Sequence, residues 1–284
     1  MIRLRNLEYT YPGRQSPAVN GITCEIGKGE IFGFLGPNGA GKSTTQKILI
    51  GLLKNYRGKV EIFGKNPAAL KGDYYQKIGV AFEFPNLYSK CTGLENLLFF
   101  QSLYKEKGKD PEVLLESLGL GKDAHLRVSE YSKGMKMRLN FARALLNDPE
   151  ILFLDEPTSG LDPVNARLLK DMILSQKNEG KTIFLTTHDM NVAAELCDRV
   201  AFLVEGRISL IDRPESLKRD FGRGEVSVTM KNGHGETERQ FSLSGLGRNT
   251  DFLSFLTTGE VLTIHSQEAT LEDVFIKVTG RKLL

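Results

Sequence analysis

Cysteine is scarce in this chain. The three that occur, Cys24, Cys91 and Cys197, are odd in number, far apart and without a CxxC spacing. Neither a disulfide framework nor a zinc site is expected, and each reads as a small buried hydrophobe. No uncharged apolar run approaches the roughly 18 residues of a spanning helix. The N-terminal MIRLRNLEY carries three charges where a signal peptide would hold its apolar core, so the chain reads as cytoplasmic. An excess of one charge is also missing. The 38 basic residues face 35 acidic ones, a net of +3, too mild to make nucleic acid the main partner. No internal repeat, low-complexity tract or heptad run occurs. What is present is an ordinary globular composition, 40% apolar and 26% charged over 284 residues. That length suits one large domain or a domain with an appendage.

Short apolar runs at Ile2 to Tyr9 and Val19 to Ile26, broken by turn clusters, predict a small antiparallel sheet at the N-terminus. Ile31 to Leu35 then runs into a glycine loop, and Lys42 to Leu53 has helical spacing. Strands are expected at Lys59 to Phe63, Ile78 to Phe82, Ile151 to Leu154, Thr182 to Thr186 and Arg199 to Val204, mostly followed by helical patterns. That alternation predicts an α/β layer with a largely parallel sheet. Residues 93 to 147 hold helical patterns only and read as a helical insertion. Within it, Leu94, Leu97, Leu98, Phe100, Leu103 and Tyr104 predict a core-facing stripe. After about residue 220 come short strands at Glu225 to Met230, Thr237 to Phe241 and Glu260 to His265, linked through Asn232-Gly233-His234-Gly235 and Gly245 to Thr250. An amphipathic helix from Leu271 closes this α+β appendage.

Gly36-Pro37-Asn38-Gly39-Ala40-Gly41-Lys42-Ser43 matches GxxxxGK[ST] between a strand and a helix. Glycines let the backbone wrap an anion, and N–H groups at the helix start converge on a phosphate. Lys42 adds a point charge for the β and γ oxygens, and the Ser43 hydroxyl, followed by Thr44, is placed to ligate Mg²⁺. Binding of a nucleoside triphosphate follows. Ile151 to Leu154 delivers Asp155 and Glu156 at the carboxyl end of a buried strand, where open α/β sheets hold ligands. Asp155 suits a water-mediated Mg²⁺ contact, and Glu156 suits a group that orients and deprotonates an attacking water. Together with the loop, the pair implies hydrolysis.

With these motifs in order, the chain resembles the ATP-binding subunits of ABC transporters. Tyr131-Ser132-Lys133-Gly134-Met135 stands where that family has its LSGGQ signature, Ser159-Gly160-Leu161-Asp162 looks like the D-loop, and His188 looks like the switch histidine. Tyr11 resembles the aromatic that stacks on adenine. The resemblance implies an α/β fold. Its parts are a P-loop NTPase core with an N-terminal antiparallel β subdomain, an inserted helical subdomain over about 86–147 and, beyond a cassette of residues 1–220, an α+β appendage over 221–284. It also implies ATP and Mg²⁺ as cofactors, a second cassette paired head to tail, and a separately encoded membrane permease. His188 would contact the γ-phosphate, Ser132 and Gly134 would reach the partner's ATP, and Asp162 would meet the facing subunit. Ser132 would also cap the following helix, aiming its N–H groups outward at an anion.

Two motifs depart from the pattern. Lys133 and Met135 replace a glycine and a glutamine of the signature, and Glu83 stands where a glutamine is expected. A carboxylate can accept from a Mg²⁺-bound water but cannot donate as an amide does. Thr270 to Phe275 with Thr279-Gly280 resembles the tail of subunits serving exporters of drugs, antibiotics or polysaccharides, which leans the reading toward export. Two other readings stand beside it, a soluble ABC-type ATPase acting on nucleic acid or the ribosome and a slow-turnover nucleotide sensor. A GTPase lacks support, because no [NT]KxD string occurs.

Overall fold

The structure is a computed structural model describing residues 1–67, 72–222, 224–232 and 235–281. The chain divides into two compact units, one from Met1 to Ile211 and one from Asp212 onward.

The first unit holds two sheets. In one, β1 (Ile2–Tyr9) lies between β2 (Val19–Ile26) and β4 (Arg57–Ile62), antiparallel to both. Apolar residues on one face of these strands are buried, while charged ones such as Arg3 and Glu25 pair outside. The second sheet has the order β5-β6-β7-β3-β8-β9, built from β3 (Ile31–Leu35), β5 (Ile78–Ala81), β6 (Ile151–Asp155), β7 (Thr182–Thr187), β8 (Arg199–Val204) and β9 (Arg207–Asp212). Strands β5, β6, β7, β3 and β8 are parallel. β3, β6 and β7 are buried along their whole length, as strands covered on both faces must be. Phe34, Phe184 and Phe153 form an aromatic row across them, with ring centroids 4.9 and 5.9 Å apart. This row belongs to the same buried cluster as the inner face of the antiparallel sheet. The helices of this unit are α1 (Lys42–Leu49), α2 (Gly72–Tyr75), α3 (Gly93–Gln101), α4 (Pro111–Ser117), α5 (Lys133–Leu145), α6 (Pro163–Asn178) and α7 (Met190–Leu196).

Several expectations are corrected. The strand at Lys59 to Phe63 pairs with β1 and extends the antiparallel sheet instead of joining the α/β layer. β9 was not expected; it follows β8 through Glu205-Gly206, both at positive φ (49° and 75°), the backbone a two-residue hairpin turn requires. The stripe in the helical insertion is not core-facing as a whole. Leu97 is buried, but Leu98 and Leu103 are 49% and 66% exposed. The inner side of α3 is instead finished by the buried Asn96, whose amide donates to the carbonyls of Tyr88 and Thr92. Cys24 and Cys197 are buried, whereas Cys91 is only half-buried. Burial pushes the Cys24 thiol up to about 12.

The second unit contains α8 (Pro214–Phe221), β10 (Glu225–Asn232), β11 (Gly235–Ser242), α9 (Thr250–Leu256), β12 (Glu260–Ser266) and α10 (Leu271–Thr279). β10 is central and antiparallel to both neighbours. Val226, Val228 and Met230 on its inner face bury Phe255 of α9, with Phe241 and Phe252 against them. The division into the two units falls at 211/212, and α8 packs on α10 within the second of them. Of the expected turn at Asn232 to Gly235, positions 233 and 234 lie outside the described residues.

Candidate active site

The phosphate loop leaves β3 at Leu35 and enters α1 at Lys42. Gly41 sets the entry. Its φ is +103°, and a Cβ there would stand 2.4 Å from the carbonyl oxygen of Ala18, so any side chain would strain and clash. No side chain caps α1, which leaves its first N–H groups without a helical partner and aimed at the loop. A cavity of about 570 Å³ opens there, lined by Asn38 to Thr44 together with Tyr11, Glu83 and Glu156. Gly36 and Pro37 precede the lining residues, and their carbonyls accept from Lys42 Nζ at 2.7 and 3.2 Å. Tyr11 and Thr44 share a hydroxyl hydrogen bond of 3.2 Å.

The carboxylates meet this loop from β6. Asp155 Oδ1 accepts from Ser43 Oγ at 3.1 Å and from the Thr186 hydroxyl. Glu156 has φ +47°, a conformation that costs a non-glycine residue energy and redirects its side chain out of the strand. Its Oε2 accepts from Thr187 Oγ1 at 3.0 Å, and its Oε1 lies 2.9 Å from His188 Nδ1 and 3.7 Å from Lys42 Nζ. Burial lowers the pKa of Lys42 from its ordinary value, while Glu156 and then Asp155 pull it back up. The ammonium and both carboxylates are thus held close together away from water, and a polyanion entering the loop would exchange with Glu156 for Lys42. The hard oxygen donors Ser43 and Asp155 fit Mg²⁺, an ion that takes few protein ligands and completes its shell with water and phosphate.

The remaining residues form a second group, and none of them lines this cavity. Ser132 caps α5, its Oγ accepting from Met135 N at 3.2 Å. Asp162 caps α6 by accepting from the backbone N–H groups of Val164 and Asn165. Hydrogen bonds from Asn165, backbone first and then amide, hold the Asp162 carboxyl below its ordinary value. Asn165 joins the two caps. Its Nδ2 donates to Asp162 at 2.6 Å, and a Cβ on Gly134 would lie 2.5 Å from its Cγ. The chain therefore carries a phosphate site and, separately, a surface of two adjoining helix starts. Sequence reasoning missed Thr186, Thr187 and Asn165. The two threonines are brought there by β7, which pairs in parallel with β6 and ends beside its carboxylates.

Residues 19–159 match the family model described as ABC transporter, and residues 225–268 match the fluoroquinolone efflux ABC transporter C-terminal domain. A fluoroquinolones export ATP-binding protein of Mycobacterium tuberculosis is 56% identical over 100% of this chain and 94% of its own length. A Nod factor export ATP-binding protein I of Burkholderia orbicola is 35% identical, covering 99% of this chain and 98% of its own. Among solved structures, a dimeric ATP-binding cassette in a post-hydrolysis state bound to ADP and Pi superposes with a TM-score of 0.67 at 29% identity, over 75% of this chain and 98% of that one. An ATP binding subunit of an ABC transporter superposes with a TM-score of 0.69 at 30% identity, over 78% and 93%. The phosphate loop, the carboxylates at the end of β6 and these likenesses lead to one conclusion: the chain belongs to the ATP-binding subunits of ABC transporters, and it binds and hydrolyses ATP.

Proposed function

We propose that the chain works as a head-to-tail pair on the cytoplasmic face of the membrane, driving a separate permease that exports a drug-like cargo. The observation that carries the hydrolytic part is Glu156, anchored by Thr187 and His188 beside Lys42 at the mouth of the phosphate loop. ATP would lie with its adenine on Tyr11 and its phosphates along Gly36 to Thr44. Ser43 and Asp155 would hold Mg²⁺, with Glu83 near its water shell, and the ion would neutralise charge on the phosphate oxygens. Glu156 orients the attacking water and takes its proton, and His188 turns to the γ-phosphate. Ser132 and Gly134 serve the partner's nucleotide, and Asp162 faces the partner.

Export is supported by the relatives' names, and the 56% identity makes a fluoroquinolone the first cargo to test. No helix among the described residues is long and apolar enough to cross a membrane, so a permease would supply the path. No observation here favours a nucleic-acid or ribosomal partner. Glu156→Gln should lower turnover by about 10²–10⁴-fold while retaining ATP binding and an ATP-dependent dimer seen by sedimentation. A variant that stays monomeric with ATP and Mg²⁺ at high concentration contradicts the pairing. Cells lacking the chain should accumulate more fluoroquinolone, and unchanged accumulation would reject that cargo.

A further inference from the structure

A second cavity, also of about 570 Å³, opens between α4, α5 and α6 and shares no lining residue with the phosphate cavity. Its floor is apolar. Leu114, Leu118, Phe141 and Leu145 line it and are at most 4% exposed, while Val113 and Leu168 carry the apolar wall out to the surface. Such a volume and wall suit a small organic molecule rather than a bare ion. The charged lining is mostly of one sign, with Asp110, Asp171 and Glu179 against Lys109. Lys109 is already held by Glu179 at 3.1 Å and Asp148 at 3.7 Å, and Asp110 caps α4. Asp171 is exposed and, among the described residues, has no hydrogen bond or ion pair. α6 ends here, at Asn178, and adds the negative end of its dipole. Gln176, in its last turn, lines the same cavity and is 7% exposed. The amide Nε2 donates to Glu179 Oε1 at 2.9 Å, which fixes its orientation and leaves Gln176 Oε1 without a donor. Buried acceptors are nearly always paired, so an N–H brought by a ligand has a partner here.

We propose that this cavity is a binding site for a small amphipathic organic cation. Its apolar body packs on Leu114, Leu118, Phe141 and Leu145. Its ammonium donates an N–H to Gln176 Oε1, and Asp171 and Glu179 balance its charge. An anion would meet three carboxylates, and a neutral body would leave Asp171 unanswered. The site depends on neither the pairing nor the cargo proposed above.

The test uses the full-length chain with its six methionines isotope-labelled in the methyl group. It is titrated with naphthylmethylamine, and with naphthylmethanol and naphthoate as the neutral and anionic forms of the same body. Met172 lines the cavity, and its methyl signal is assigned by Met172→Leu. The amine should saturate with a Kd below about 1 mM and move the Met172 signal through its ring current. The alcohol should bind at least about fivefold more weakly and the acid more weakly still. Gln176→Leu should weaken the amine at least about threefold with ATP affinity unchanged. Asp171→Asn, made at an exposed side chain, should do the same and serves if Gln176→Leu fails to fold. Failure of the amine to saturate, equal binding of amine and alcohol, a Met172 signal that stays in place, or an affinity that neither variant lowers each overturns the proposal. A Met172 signal that moves with protein concentration alone assigns the face to a second copy and overturns it too.

Discussion

At the scale of single residues, the hydrolytic role proposed for Glu156 would depend on what immobilises it. Thr187 Oγ1 donates to its carboxylate, and both side chains are largely buried. Thr187→Val keeps the shape and removes that bond, a loss of about 1 kcal/mol. The expected result is a kcat about fivefold lower with KM for ATP little changed, read from steady-state kinetics. Asp148 offers a pH test away from the site. Its hydrogen bond from Lys181, aided by Lys109, holds its carboxyl below the ordinary 3.8. A carboxyl depressed in the folded state stabilises fully above its unfolded value, and that stabilisation is lost as pH falls through the folded one. Asp148→Asn should therefore melt lower than the parent at pH 7, with the gap closing below about pH 3.8, as thermal scans at both ends would record. Motif residues were legible because their chemistry dictates their spacing. Thr187 was not, because it acts on Glu156, distant in the chain, and neither was the approach of Asn165 to Gly134, for the same reason.

At the scale of elements, close approach decides which residues are tolerated. Gly79 in β5 lies under α5, and a Cβ there would be 1.9 Å from the backbone oxygen of Ala144. Since that neighbour is main chain and not a flexible side chain, Gly79→Ala should force the helix off the strand. A destabilisation of about 1–3 kcal/mol follows, measurable as a lower urea midpoint. The central strands were readable as unbroken apolar runs, which only a strand buried on both faces can carry. β4 was placed in the wrong sheet because a strand's own pattern does not name its neighbour. α1 stops at Leu49, short of the expected Leu53, since Gly51 turns the backbone to φ +80°. In the appendage, α9 was missed behind Gly245 to Thr250, where turn residues mask a short helix capped by Asn249.

At the scale of the whole molecule, each unit closes its own apolar cluster, that of the cassette being the larger. A chain ending at Ile211 keeps every residue of the phosphate site and of the signature surface. It should fold cooperatively and bind ATP with Mg²⁺, with one thermal transition that shifts upward with nucleotide. Failure to fold would mean that the second unit completes the first. Hydrolysis and export should then separate in such a chain, since the proposed hydrolytic residues precede Ile211 while residues 225–268 match the model described as fluoroquinolone efflux ABC transporter C-terminal domain.

The amino-acid order by itself determined the phosphate loop, the carboxylate pair, the alternation of strand and helix and the altered signature, because each is local chemistry written within a few adjacent positions. Tertiary structure alone decided the partners of β4, the break between units at 211/212, the threonines that hold Asp155 and Glu156, and the cavity between α4, α5 and α6. These depend on which distant segments meet, and a contact between segments far apart in the chain has no local pattern to announce it.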